Sequence, residues 1–150
     1  MPWRALLTFL LLVLPGAMPV MSAQGIKPML GRLASCPDSP NCVASDAADI
    51  SHHVPHFAVV LPVNEAWRLV RETVKDMPRT KIVEITDNYL RAECTSAVFR
   101  FVDDLELELR PDERIIAVRS ASRTGYSDFG VNRRRVERLR SVLQSRGTIK

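Results

Sequence analysis

The sequence predicts an α+β fold of two layers, in which an antiparallel sheet of four to five strands carries two helices packed on one face. Three observations support this prediction. An amphipathic helical pattern comes first, four strand-like segments follow it without an intervening helix, and a second amphipathic helix comes last. The chain has 150 residues, of which 46% are hydrophobic, and this is enough for one domain with its own core.

The first 23 residues have the layout of a secretory signal peptide. Arg4 precedes an apolar run over 5–14, Pro15 and Gly16 end that run, and small residues follow. We therefore predict cleavage after Ala23, with Ser22 as the alternative, and an exported protein that is periplasmic if the source is bacterial. An uncleaved membrane anchor is the competing interpretation, although the apolar run is short for a bilayer span.

Residues 24–56 are predicted to form an extended arm that crosses the domain surface. The segment is rich in Pro, Ser, Asp and Ala and lacks sustained periodicity. Within it, CPDSPNC places turn-forming residues between Cys36 and Cys42. Because disulfides persist in oxidising compartments, we predict a disulfide between these two cysteines.

Three histidines in the arm offer an alternative use for those cysteines. A metal site could combine them with His52, His53 and His56. The spacing of the cysteines is wider than in a zinc knuckle, and Pro55 disfavours a helix around the histidines. We therefore predict solvated histidines, no metal and no cofactor.

Residues 57–146 are predicted to form the α+β domain, beginning with a short buried strand over 57–61. Apolar residues then recur at helical spacing from Ala66 to Met77, with Asn64 as the expected N-cap and Pro78 beyond the end. The stretch therefore predicts an amphipathic helix.

Four strand-like segments follow at 81–86, 89–95, 99–110 and 114–123. In the third segment Asp103 shares a face with the leucines at 105, 107 and 109. A two-residue turn at Pro111-Asp112 would place Leu107 opposite Ile116 and Asp103 opposite Ser120. A loop longer by two residues would slide these pairs but keep the faces. Alternation in the second segment predicts that Cys94 is buried.

The last helix is predicted over 130–145. At 100° per residue, Val136, Leu139 and Leu143 form a buried stripe that includes Asn132. Arg135 lies on the margin of that stripe. Four other arginines are expected to face away from it: Arg133, Arg134, Arg138 and Arg140.

The net charge of +4 is unevenly distributed. From Arg114 to Lys150 there are ten Lys or Arg against Asp128 and Glu137, a net charge of +8, which leaves −4 for the rest of the chain. This favours an anionic partner for the basic end, or pairing between the two parts. The expected partners are an anionic ligand, an acidic protein surface or anionic lipid. Attachment to a membrane is expected only through an uncleaved signal, if at all. Nucleic acid is not expected, because no recognised binding motif is present.

The candidate site is the strand-to-helix turn RSASRTGYSDFGVNRRR. One interpretation is an anion site, in which free N–H groups at the helix start act together with arginines. The other is internal pairing, in which aspartates neutralise the arginines and Asp128 or another aspartate caps the helix. The candidate ligand-binding residues are Asp103, Arg119, Ser120, Arg123, Asn132 and Arg135.

Catalysis is not the favoured interpretation, and no catalytic residue is predicted. Asp103 and Asp104 are neighbours on one strand and face opposite ways, so they cannot act as a pair. The sequence contains no nucleophile elbow and no Gly-rich phosphate loop. Two alternatives to a non-enzymatic binding module remain: a hydrolase that uses Asp103 with serines of the turn, and a purely structural interaction domain.

Three stretches, CPDSPNCVAS, FRFVDDLELEL and RSASRTGYSDFGVNRRRVERLR, together resemble the family catalogued as domain of unknown function 1499. The resemblance extends from Leu33 to Leu143. It implies a family of bacteria and plants with many exported members. The family has no established activity, so the resemblance implies no catalytic residue, substrate or cofactor.

Overall fold

The described part of the chain folds into an antiparallel sheet with two helices packed on one face. The structure is a computed structural model that describes residues 33–150. The predicted signal peptide lies outside these residues. The elements in chain order are β1 (Cys42–Ala44), β2 (Phe57–Ala58), α1 (Val63–Lys75), β3 (Thr80–Ile85), β4 (Tyr89–Thr95), β5 (Val102–Arg110), β6 (Ile115–Ser122) and α2 (Val131–Ser145). The predicted α+β class is confirmed.

The sheet has six strands in the described residues, slightly more than the four to five expected. Its order is β1-β6-β5-β4-β3, and β2 pairs with β6 beside β1. The additional strand is β1, which lies inside the predicted arm. Its three residues are too few for an alternating pattern to appear in the sequence.

The two faces of the sheet have different chemistry. On the inner face, Leu105, Leu107 and Leu109 of β5 are buried against the helices. On the outer face, the same strand presents Asp104 and Glu106. Both helices pack on the inner face, where they also contact each other. The predicted alternation of β5 is therefore confirmed.

The predicted register of β5 and β6 is wrong by two residues. Leu107 lies opposite Val118, and Asp103 lies opposite Ser122, because Arg110 pairs with Ile115. A four-residue connection over 111–114 replaces the expected two-residue turn. In it the N–H of Arg114, at φ 52°, donates to the carbonyl of Pro111. Residues predicted on the inner face of the sheet remain there, because a register shift of two residues does not change the face to which a side chain points.

The helices begin close to their predicted positions. In α1 the N-cap is Pro62, whose carbonyl accepts the N–H of Ala66, so Asn64 lies inside the helix instead of capping it. In α2 the buried residues are the predicted Asn132, Val136, Leu139 and Leu143.

The arm is tied to the sheet near its start. Cys36 and Cys42 form the predicted disulfide, with their Cα atoms 5.6 Å apart. Cys94 is the remaining described cysteine and is free and buried, as predicted. Within residues 33–150, no helix is both long enough and apolar enough to cross a bilayer.

Candidate functional site

The strand-to-helix turn connects the end of β6 to α2 and is held by one aspartate. The carboxylate of Asp128 accepts the N–H groups of Gly130, at 2.8 Å, and Asn132, at 2.7 Å. Gly130 itself has φ 76°, which favours glycine, and offers no side-chain cap. The Asp128 carboxylate therefore accepts hydrogen bonds from two N–H groups at the start of α2 and offsets the positive charge of the arginines that follow.

Four of the six candidate residues meet on the inner face, where they form a polar corner of Asp103, Ser120, Asn132 and Arg135. Arg135 donates from Nη2 to Asp103 Oδ2 at 2.6 Å and from Nη1 to Ser120 Oγ at 3.0 Å. The side chains of Arg135 and Asp103 are only 10% and 5% exposed. This pair is therefore a buried ion pair with additional hydrogen bonds.

Asn132 is the hub of the polar corner. Its Oδ1 accepts hydrogen bonds from Ser120 Oγ and Arg135 Nη1. Its Nδ2 donates to the Asn41 carbonyl at 3.1 Å and to Ser122 Oγ at 2.9 Å. The residue is fully buried, so these bonds replace its contacts with water. Asn41 lies in CPDSPNC, so the corner joins that arm segment to the strand-to-helix turn.

The other two candidate residues lie on the outer face. Arg119 donates from Nη1 to Glu106 Oε2 at 2.6 Å. Arg123 binds Asp104 and also Glu93, at 2.8 Å and 2.7 Å. Because successive residues of a strand point to opposite faces, neither arginine joins Asp103 or Asn132. The six candidate residues therefore divide between the two faces of the sheet.

Hydrogen bonds from arginines lower the pKa of two carboxylates, Asp104 on the outer face and Asp46 in the arm. The hydrogen bond from Arg123 holds the pKa of Asp104 below its usual value, and Arg91 adds to the effect. Burial alone would raise the pKa of Asp46, but hydrogen bonds from Arg110 and His56 lower it overall. Both carboxylates are therefore stabilised in their charged form.

Two of the arginines expected to face away from the core bind the arm. Arg133 donates to the carbonyls of His53, at 2.9 Å, and Ser51, at 2.7 Å. Arg140 donates to the carbonyls of Pro55 and His56 and stacks over the ring of Phe57, 4.7 Å from its centroid. The helix pattern gives no signal that the arm lies there. The expectation that Arg140 faces away from the core is wrong, because its side chain is only 13% exposed and packs over the buried ring of Phe57.

The histidines of the arm differ from one another. His52 is only 8% exposed, so the prediction of three solvated histidines is wrong for this residue. Its Nδ1 lies 2.8 Å from Asp49 Oδ1 and its Nε2 lies 3.2 Å from the carbonyl of Ser39. These contacts make His52 a structural link within the arm. In residues 33–150, no three His, Cys, Asp or Glu side chains are grouped to hold a metal ion.

A cleft of about 540 Å³ lies beside the polar corner, between the end of α1, the ends of β3 and β4, and α2. Arg135 belongs to its wall, so the cleft adjoins the polar corner. The cleft is named here the arginine cleft for the five arginines among its lining residues: Arg79, Arg134, Arg135, Arg138 and Arg146. Asp76 is the one carboxylate among the described residues that line it.

The arginines of the cleft differ in how far they are already paired. Arg146 donates to Thr73 Oγ1 at 2.6 Å, and Arg134 donates to the carbonyl of Phe129 at 2.8 Å. Arg138 is exposed and has no hydrogen-bond or ion-pair partner among residues 33–150. One guanidinium therefore remains unpaired at the cleft, and others bind only neutral groups.

Apolar groups complete the lining of the arginine cleft. Leu139 and Val142 contribute side chains from α2, and Met77 contributes its side chain from the turn after α1. Cys94 lines it from β4 and is 3% exposed, and its thiol receives a 3.6 Å hydrogen bond from Thr80. Burial raises the pKa of this thiol, so it stays protonated at neutral pH. The cleft therefore combines cationic groups with an apolar surface.

Residues 32–143 match the family described as "Protein of unknown function (DUF1499)". The chain belongs to this family. The match covers both cysteines of the disulfide, the polar corner and most of the arginine cleft. No curated protein and no solved structure matches this DUF1499 chain.

Proposed function

We propose that this DUF1499 protein is an exported, non-enzymatic module that binds an organic anion in the arginine cleft, either as a free ligand or as part of an envelope partner. The cleft adjoins the arginine-rich strand-to-helix turn. The observation that carries the proposal is Arg138, whose guanidinium borders a cleft of about 540 Å³ and has no partner among the described residues. Guanidinium groups match carboxylates and phosphates in charge and in hydrogen-bond geometry.

The charge balance of the cleft supports an anion over a cation. In the part of the chain that the structure describes, five arginines line it against one carboxylate, that of Asp76. Arg135 is committed to Asp103, which leaves the exposed arginines for a ligand. Arg134 and Arg146 bind only a carbonyl and a hydroxyl, so they can turn toward an anion without leaving a carboxylate unpaired.

The lining also indicates the shape of the anion. Met77, Leu139, Val142 and Cys94 give the cleft an apolar surface, and its volume lies in the range of small-molecule sites. A ligand that fills it would carry one acidic group and an aliphatic or aromatic body. Carboxylic acids and phosphate monoesters with an alkyl chain have this chemistry.

Export is supported by two features. The N-terminal segment has the layout of a signal peptide, and the Cys36–Cys42 disulfide belongs in an oxidising compartment. N-terminal sequencing of protein from an exporting host tests this proposal. A mature N-terminus near Gln24 supports it, and an intact Met1 contradicts it.

The geometry disfavours the hydrolase alternative. Asp103 is 4% exposed and its carboxylate is bound by Arg135, so it would have to leave this pair to act as a base. Ser120 is fully buried within the polar corner. The corner therefore supports a structural role, and the neighbouring cleft supports the binding role.

Isothermal titration calorimetry with octyl phosphate tests the proposed function. We expect saturable one-to-one binding, weaker binding of inorganic phosphate and none of octanol. Arg138→Gln should weaken octyl phosphate binding by about tenfold, because a hydrogen bond to a charged group is lost.

Arg68→Gln is the matched control for that titration, since it removes the same charge from an exposed site on α1 outside the cleft. Its affinity for octyl phosphate should equal that of the wild type. Absence of saturable binding, or equal weakening by both substitutions, would contradict the proposal.

A further inference from the structure

Five large hydrophobic side chains are exposed on two loops of the protein. The loop over 96–101 joins β4 to β5, and the loop over 123–130 joins β6 to α2. Phe99 is 75% exposed and Phe129 is 87% exposed. The set consists of Val98, Phe99, Phe101, Tyr126 and Phe129.

Strand pairing places both loops at the same end of the sheet. Thr95 lies opposite Val102 where the first loop begins and ends, and Asp103 lies opposite Ser122 next to the second. The N–H of Arg123 donates to the carbonyl of Val102, so the second loop starts beside the first. The two loops are named here the aromatic end. Soluble monomers seldom expose such clustered apolar groups without an interaction that uses them.

The fold holds these side chains outward at a conformational cost. Phe129 has φ 52°, in the left-handed region that is unfavourable for a bulky residue. Its N–H donates a hydrogen bond to Ser127 Oγ, and its carbonyl accepts a hydrogen bond from the guanidinium of Arg134. On the other loop, the rings of Phe99 and Phe101 stack with their centroids 5.7 Å apart. The strained backbone of Phe129 is not offset by burial of its ring. Strain that does not serve packing is typical of functional positions.

Positive charge accompanies the exposed aromatic residues. Arg100 lies between the two stacked phenylalanines and has no partner among residues 33–150. The loop over 96–101 contains no carboxylate, and Asp128 in the other loop is committed to the α2 cap. Arg79 reaches this end too, because its carbonyl accepts the N–H of Thr95. The aromatic end therefore combines apolar tips with unneutralised guanidiniums.

We propose that the aromatic end docks on the surface of a lipid bilayer that contains anionic phospholipids. Aromatic side chains favour the boundary between headgroups and acyl chains, and each arginine near an anionic surface adds electrostatic attraction. The exposed side chains lie at loop tips, which can enter a headgroup layer without a matching groove. Charge complementarity thus selects the acidic membrane as the partner. The proposal goes beyond ligand binding in the cleft. Of the side chains that support it, only Arg79 also lines the arginine cleft.

Co-sedimentation with vesicles of equimolar phosphatidylglycerol and phosphatidylcholine tests the docking surface. Wild-type protein should bind these vesicles, bind pure phosphatidylcholine vesicles more weakly, and lose affinity as salt rises. The double variant Phe99→Ser with Phe129→Ser should bind the mixed vesicles at least about tenfold more weakly, because two exposed apolar side chains are lost. Arg100→Gln should weaken binding by about fivefold.

The control is Ile50→Ser, which removes a 93% exposed apolar side chain from the loop between β1 and β2. It should leave vesicle affinity unchanged. All variants share one N-terminal segment, so that segment cannot cause a difference between them. Equal vesicle affinity of the wild type and the double serine variant, or a loss as large in Ile50→Ser, would overturn the proposal.

The calorimetric titration separates the two proposals. The double serine variant should bind octyl phosphate as the wild type does, because neither phenylalanine lines the arginine cleft. If vesicle binding fails while octyl phosphate still binds, the docking surface alone is refuted. If octyl phosphate fails to bind while vesicle binding persists, only the cleft proposal falls.

Discussion

The guanidinium of Arg135 lies 2.6 Å from the carboxylate of Asp103, and this pair joins α2 to β5 across the inner face of the sheet. Arg135 also lines the arginine cleft. One arginine of the RRR run thus supports the fold, while Arg138, one turn further along the helix, has no partner within residues 33–150. Arg135 therefore has a structural role, whereas Arg138 is available to a ligand, and the proposed function depends on this difference.

Substitution of Arg135 should be strongly destabilising. Arg135→Met leaves Asp103 buried without a countercharge, and removal of one partner of a buried pair costs about 3 to 5 kcal/mol. Urea denaturation followed by circular dichroism measures the change in the free energy of unfolding.

The matched control for the Arg135 variant is Arg138→Met, for which we expect a change within about 0.5 kcal/mol because the side chain is exposed. Adding Asp103→Leu to Arg135→Met should recover part of the loss. A change of equal size in both single variants would contradict the role of the pair.

Asp128 should stabilise the start of α2. Asp128→Ala removes the acceptor for the N–H groups of Gly130 and Asn132, and we expect a loss of about 1 to 2 kcal/mol. The melting temperature and urea denaturation check this value. Asp112→Ala, at an exposed position of the β5–β6 connection, is the control and should be close to neutral. Unchanged stability in Asp128→Ala would show that the cap is dispensable.

The elements were predictable from the sequence because their patterns are local. Helical spacing identified α1 and α2, and alternation identified β3 to β6, since each reports which face of its own element is buried. The register of β5 and β6 depends on the length of one turn, and the sequence of Pro111-Asp112 does not reveal the four-residue connection. The predicted pairing of Asp103 with Ser120 is wrong for this reason, and Asp103 lies opposite Ser122 instead.

The candidate site was predictable only in part. Asp103, Asn132 and Arg135 share a face by their own periodicity, and the structure brings them together. Arg119 and Arg123 are close to Asn132 in sequence, but the alternation of β6 sends them to the outer face, and for Arg119 this alternation was already predictable from the sequence. The arginine cleft depends on how the end of α1 lies against α2, and no local pattern specifies that packing.

Acid should weaken the fold through the carboxylates of the arm and the outer face. The pKa of Asp104 and that of Asp46 lie below the value near 3.9 of an unfolded chain, so these groups stabilise the fold above about pH 4. This contribution is lost as the pH falls through the folded-state values. The hydrogen bond from Ser51 lowers the pKa of Asp49 to about 2. The stability that Asp49 contributes is therefore lost only as the pH falls to about that value.

The variant Asp104→Asn isolates one of these groups. It should lower the free energy of unfolding clearly at pH 6 and less at pH 3, because the carboxyl of the unfolded chain is mostly protonated at pH 3 and part of the linked stability is then lost. Urea denaturation at the two pH values provides the comparison, with Asp112→Asn as the exposed control. An equal effect at both values would contradict the proposed linkage.

Cys94 should be inert toward thiol reagents in the folded protein. The thiol is buried and burial raises its pKa, so at pH 8 both access and thiolate content are low. Labelling with a chromogenic disulfide should be slow in buffer and complete within the mixing time in denaturant. Thr80→Ala, which removes the hydroxyl bonded to the sulfur, should leave the label excluded. Rapid labelling of the native wild type would show that the thiol is accessible from the cleft.

The most direct test of ligand binding is a titration of isotope-labelled protein with octyl phosphate, followed by amide chemical shifts. Binding in the arginine cleft predicts saturable shifts at residues 76–80, 94–97 and 131–142, with little change on the outer-face strand positions of Glu106 and Arg119. Arg138→Gln should move the midpoint to higher ligand concentration. Shifts that do not saturate, or that centre on the outer face, would contradict an anion site in the cleft.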